Sequence, residues 1–88
     1  MRNQFELIRD ETVTKKVRYV SFMGNFKRYD FAFMESEDPD KTAIIDLTTK
    51  RYAVLGKNDL SEGISIAHTF QLSEMEADEV RKFLEGVL

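Results

Sequence analysis

The sequence predicts an α+β fold: an antiparallel meander sheet of four to five strands, with an amphipathic carboxyl-terminal helix packed on one face. Three observations predict it. Residues 17–34 hold two runs rich in aromatic and β-branched side chains on either side of Gly24-Asn25, the pattern of a β-hairpin. Two further short apolar runs, residues 42–47 and 52–55, follow them. From Ser73 onward, apolar residues recur at helical spacing behind a capping box. With 88 residues the chain is one domain, 1–88, whose core leaves room for a shallow site but not for a deep pocket.

Residues 5–8 read as a short first strand, and Asp10 to Thr14 as a polar loop. The first hairpin then spans about residues 16–34. With Gly24 and Asn25 as a two-residue turn, Val20 faces Tyr29 and Arg18 faces Phe31. A four-residue loop changes those pairs but not the faces, because side chains alternate with period two. One face carries Val20, Phe22, Tyr29, Phe31 and Phe33 and is the expected core. The other carries Val17, Tyr19, Ser21, Arg28, Asp30 and Met34, a mixed set expected to be half-covered or a contact surface.

Residues 35–40 contain Pro39 and no apolar side chain, so they form an exposed acidic turn. The second hairpin joins residues 42–47 to 52–55 through residues 48–51. Ala43, Ile45, Leu47, Tyr52 and Val54 share one face; Ile44, Asp46 and Leu55 share the other. The connection has no Gly or Asn, which leaves its turn type open. Over residues 64–72, Ile64, Ile66, His68, Phe70 and Leu72 alternate with small or polar residues. That pattern argues a half-buried strand with His68 on its apolar side. A short helix over residues 60–67, capped by Asp59, is the alternative. The carboxyl-terminal helix begins at Ser73, with Glu76 completing the capping box. Ala77, Val80, Phe83, Leu84 and Val87 form its apolar stripe; Glu74, Asp78, Arg81, Lys82 and Glu85 fill its outer face.

Composition excludes several chemistries. There is no cysteine, so disulfides, thiolate catalysis and Cys-based metal sites are out. No apolar run exceeds four residues, so neither a signal peptide nor a membrane span is expected, and the expected location is cytoplasmic. The net charge of −3 is uneven: residues 15–57 carry nine basic and six acidic side chains, and residues 58–88 two basic and seven acidic ones. That asymmetry reads first as intramolecular attraction between a basic sheet and an acidic helix.

No catalytic constellation emerges. His68 is the only histidine, and a general acid or base needs an orienting partner and a cleft. Asp30 and Asp46 lie inside strand patterns, unusual places for Asp. Asp30, beside Ser21 and Arg28, reads as one member of a cross-sheet ion pair. The acidic turn lacks the ligand spacing of an EF-hand, so no metal and no cofactor is assigned. The run from Lys27 to Phe33 looks superficially like the aromatic strands of single-strand RNA binders, but the chain is acidic overall and those aromatics are expected in the core. Phosphate-binding glycine loops and nucleophile elbows are absent.

Val17-Arg-Tyr-Val-Ser-Phe22, Arg28-Tyr-Asp-Phe31 and His68-Thr-Phe-Gln-Leu-Ser-Glu74 together resemble a family of small uncharacterised cytosolic proteins of low-GC Gram-positive bacteria, grouped as a domain of unknown function. The resemblance covers the first hairpin and the junction into the last helix, and it implies no activity.

The expected function is a noncatalytic protein-interaction or regulatory module, self-association included, with Tyr19, Arg28, Asp30 and Met34 on its contact surface. The alternative is an accessory nucleic-acid binder using Lys15, Lys16, Arg18, Lys27 and Arg28, and nucleic acid ranks behind protein as the expected partner. An enzyme with a shallow site at His68 ranks third.

Overall fold

A computed structural model describes Glu6 and residues 8–88. The strand expected over residues 5–8 rests on Phe5 and Leu7, which lie outside the described residues. Four strands form one antiparallel sheet in the order β1-β2-β3-β4: β1 Val17–Met23, β2 Arg28–Glu35, β3 Thr42–Asp46 and β4 Arg51–Leu55. Three helices follow, α1 Lys57–Ser61, α2 Ile66–Phe70 and α3 Glu74–Val87. The predicted α+β meander with its carboxyl-terminal helix is the observed architecture.

The first hairpin turns through four residues rather than two. Met23 is opposite Arg28, Val20 opposite Phe31 and Arg18 opposite Phe33, so the two-residue pairing is wrong while the faces stand. The loop closes because Gly24 N–H donates to the Lys27 carbonyl at 2.9 Å and because α3 holds its tip. The Glu79 carboxylate accepts from the Asn25 backbone N–H and, at 2.8 Å, from the Tyr29 hydroxyl. Burial, reinforced by this carboxylate, pushes the Tyr29 phenol well above its ordinary range, so it stays a donor. A Cβ on Gly24 would land on the Glu79 carboxylate, so a side chain at this position displaces that carboxylate from the hairpin tip.

The second hairpin loops through residues 47–50, one residue earlier than expected, and again the faces are unchanged. Buried Asp46 governs this turn. Its Oδ1 accepts the N–H groups of Thr48 at 2.9 Å and Thr49 at 3.1 Å. Its carbonyl accepts from Lys50 N–H at 2.8 Å, with Lys50 in the left-handed region at φ 60. An Asx turn does here what Gly or Asn does elsewhere.

The core lies between one sheet face and the helices. Tyr29, Phe31, Ile44 and Leu55 meet Leu60, Ile66, Phe70, Ala77, Val80 and Leu84, all buried. Phe22 stacks on Tyr29 at 4.9 Å and on Phe83 at 4.1 Å between ring centroids, which ties edge strand β1 to α3. The capping box of α3 is present in full: Ser73 Oγ accepts Glu76 N–H at 3.2 Å, and Glu76 Oε1 accepts Ser73 N–H at 3.0 Å.

Two expectations are corrected. Residues 64–72 are not a strand, nor is there one helix over residues 60–67: α1 and α2 occupy this stretch. Ser65 caps α2 by accepting His68 N–H at 3.2 Å, and Ile66 and Phe70 bury themselves one turn apart. Asp59 sits at the third helical position of α1, accepting Gly56 N–H at 2.8 Å. Arg81 is not an outer-face residue either. It is half-buried, and its guanidinium donates to the carbonyls of Leu60, at 3.0 Å, and Ile64.

Candidate interaction surface

The helices cover one face of the sheet and leave the other open. Strand register assembles that open face from two uncharged rows. Val17, Met34, Ala43 and Val54 form one row across β1, β2, β3 and β4. Tyr19, Ala32, Ile45 and Tyr52 form the next. The outer strands are the more exposed: Tyr19 and Tyr52 are each 73% exposed, and Val17 and Val54 are exposed beside them. On the inner strands Met34, Ala43 and Ile45 are half-buried and Ala32 is buried. The result is an apolar face bordered by two exposed tyrosines. Beside its Val17–Met34 end, a groove of about 740 Å³ runs between the amino end of β1 and the acidic turn at residues 35–39.

The next positions along β1 and β2 are polar. Ser21 Oγ donates to Asp30 Oδ1 at 2.5 Å, and Arg28 Nε donates to the same oxygen at 3.0 Å. The Ser21 hydroxyl, then the Arg28 guanidinium, hold the Asp30 carboxyl below its ordinary range. Asp30 is thus the fixed acceptor of a small polar cluster. All four expected surface residues, Tyr19, Arg28, Asp30 and Met34, lie on this one face. Sequence reasoning missed the half supplied by the second hairpin. The alternation of Ala43, Ile45, Tyr52 and Val54 was readable, but joining it to the first hairpin needs the β2–β3 register.

The nucleic-acid set is not gathered into one patch. Lys27 lies on the helix side, bonded to Glu76 at 2.8 Å, with its ammonium 5.2 Å from the Tyr29 ring centroid. Arg28 pairs with Asp30. Lys15, Lys16 and Arg18 are exposed at the opposite end of β1, roughly 20 Å away at ~3.3 Å per strand residue.

His68 corrects another expectation. It is exposed on α2 rather than seated on an apolar face, and no side-chain hydrogen bond to its imidazole exists among the described residues. Asp30 and Asp46 lie on opposite faces of the sheet, so they share no cleft. Among the described residues no three carboxylate or imidazole side chains converge as metal ligands, and no helix is long and apolar enough to cross a membrane.

No match to a curated protein was found. A family model does match, over residues 8–86, which is nearly the whole chain and takes in every strand and helix described above except Val87 at the end of α3. On that match the chain belongs to the SAV0927-like family.

Proposed function

We propose that this chain is a noncatalytic protein-interaction module and that the open sheet face is its contact surface. Family membership brings no activity with it, so the reading rests on the face itself. One observation carries it: two complete rows of uncharged side chains cross all four strands, with both bordering tyrosines largely exposed. Monomeric proteins rarely expose contiguous apolar patches larger than a few hundred Å², and the larger ones mark contact sites when rimmed by polar groups. Tyrosines are frequent anchors of such contacts, and the Ser21–Arg28–Asp30 cluster supplies a polar rim.

The noncatalytic reading draws support from exposed, unoriented His68 and from the separation of the two strand carboxylates. The cysteine-free composition and the resemblance to small cytosolic bacterial proteins support a cytoplasmic location. The nucleic-acid alternative has less behind it, since Lys27 and Arg28 are each engaged by a carboxylate.

The test is capture of protein by the immobilised chain, with and without nuclease, alongside a Tyr19→Glu/Tyr52→Glu variant. Capture that survives nuclease and disappears in the variant is the expected result. Capture indifferent to the two tyrosines would sink the surface assignment, and capture lost to nuclease would favour nucleic acid instead.

A further inference from the structure

We infer that the outer edge of β1 is a separate contact site, which takes an extended peptide segment of another protein as an added strand. That segment carries two apolar side chains at alternate positions, followed by a carboxylate. The site goes beyond the open-face reading and does not depend on it, because it uses backbone groups and the helix side of the sheet.

Register decides which backbone groups of β1 are unpaired. Gly24 and Lys27 continue the β1–β2 register by one step, and Gly24 N–H donates to the Lys27 carbonyl, so theirs is a hydrogen-bonded pair. Bonded and non-bonded pairs alternate along an antiparallel ladder. Phe22, Val20 and Arg18 therefore bond to β2, while Met23, Ser21, Tyr19 and Val17 turn their N–H and carbonyl groups outward. The same parity follows from the other side of β2. The Asp30 carbonyl accepts from Leu47 N–H at 3.0 Å, so Asp30 bonds towards β3 and its neighbours Tyr29 and Phe31 bond towards β1. Among the described residues no strand lies outside β1.

Sheet edges are ordinarily blunted by short strands, lysine, proline, bulges or a covering element. β1 runs for seven residues in unbroken register without Pro or Lys. The opposite edge strand, β4, has five residues and is packed by α1 and α2.

The helix-side residues of β1 specify what an added strand carries. Residues opposite Arg18, Val20 and Phe22 would form the non-bonded pairs of the new ladder, where side chains come closest. Phe22 stacks on Phe83 and borders a groove of about 670 Å³ between the end of β1 and α3. Phe26 and Met75, 56% and 58% exposed, line the same groove, so it suits an apolar side chain. Half-buried Val20 suits a second. Arg18 is exposed and borders the groove towards the acidic turn, yet no carboxylate pairs with it among the described residues. On its outer side it is open to a carboxylate of the partner. Strand addition of this kind takes affinity from main-chain bonds and specificity from alternate side chains.

The probe is the capped peptide acetyl-Thr-Phe-Thr-Val-Thr-Glu-Thr-amide, which matches this pattern antiparallel to β1. It is titrated into the isotope-labelled full chain, with amide exchange and chemical shifts read residue by residue. In the chain alone, Val20 and Phe22 amides should exchange slowly and Tyr19, Ser21 and Met23 amides fast. The peptide should slow those three about tenfold at saturation, with a dissociation constant on the order of 1 mM or tighter. Lys in place of the peptide Glu should weaken binding about threefold or more, and Arg18→Glu should restore binding of the Lys peptide. Ser21→Pro removes an N–H that points away from β2, a change edge strands tolerate, and should abolish binding while Ser21→Ala keeps it. If Ser21→Pro fails to fold, the Arg18→Glu exchange decides. Slow exchange of Tyr19, Ser21 and Met23 in the chain alone means that the edge is already occupied and overturns the site. Shifts clustered on Ala32, Ile45 and Tyr52 put the peptide on the open face and overturn the edge. Binding indifferent to the Lys-for-Glu change overturns the carboxylate, and no protection at millimolar peptide overturns β1 as a docking strand. None of these outcomes alters the tyrosine-dependent capture that tests the open face.

Discussion

Lys50 holds a left-handed backbone conformation at φ 60, where an L side chain costs about 1–2 kcal/mol. The turn keeps it there because its N–H closes the loop onto Asp46 while the buried Asp46 carboxylate takes the two preceding free N–H groups. Lys50→Gly removes the Cβ that causes the cost. Part of the gain goes to the greater freedom of glycine in the unfolded chain. A net stabilisation of about 0.5–1 kcal/mol is expected, read as a thermal midpoint about 3–6 °C higher. An unchanged or lower midpoint would show that the Asx turn alone sets the loop. Gly24 makes the opposite case. Gly24→Ala pushes the Glu79 carboxylate off the hairpin tip and should lower the urea midpoint. In a Glu79→Ala background the same substitution should cost much less, and equal losses in both backgrounds would refute the contact. At this scale the sequence announced little. Asp46 was visible as an odd strand residue, but its role depends on burial, which no local pattern displays.

Among the elements, α3 was legible and α2 was not, for a definite reason. Ser73 and Glu76 signal the start of α3 chemically, and five apolar positions then follow one helical face. In α2 the two buried residues, Ile66 and Phe70, are four apart. That spacing fits one helical face and also an even-numbered strand face, so the alternation of residues 64–72 carried no information about period. His68 was misplaced by the same ambiguity. The start of α3 also carries a pH dependence. Glu76 is pushed down to about 2, first by its hydrogen bond from the Lys27 ammonium and then by the Ser73 N–H and hydroxyl. Glu79 is also held low, chiefly by the Asn25 N–H. A carboxyl depressed in the folded state stabilises the fold above its unfolded pKa and loses that contribution as the pH falls through the folded value. Stability should therefore hold above about pH 4.5 and decline from there towards pH 2. Thermal melts of Glu76→Gln should begin lower at pH 7 and show a shallower acid decline. Parallel curves for the two proteins would count against the Lys27–Glu76 link.

At the scale of the whole molecule, a single helical layer on one sheet face explains both the core and the open face. The sequence conveyed that layering because aromatic residues collect on one side of the first hairpin and the α3 stripe needs a partner. It did not convey how α1 and α2 are held. Two helices of five residues each cannot sustain themselves by local hydrogen bonding. Their apolar anchors, Leu60, Ile66 and Phe70, supply burial, and Arg81 supplies direction by reaching from α3 to the carbonyls of Leu60 and Ile64. A planar guanidinium with several donors can bridge one carbonyl in α1 and another just beyond it; a Lys ammonium reaches them less well and a Met side chain bonds neither. Arg81→Met keeps the length and apolar stem of the side chain, so the α3 packing should survive. Loss of these charge-assisted bonds should cost about 1–2 kcal/mol. The cost should be local. Amide hydrogen exchange should speed up over residues 57–72 while the central strands β2 and β3 keep most of their protection, because the hairpins make no use of Arg81. Uniform acceleration across strands and helices would mean that the short helices and the sheet unfold as one unit, and that Arg81 braces the whole domain rather than its helical layer.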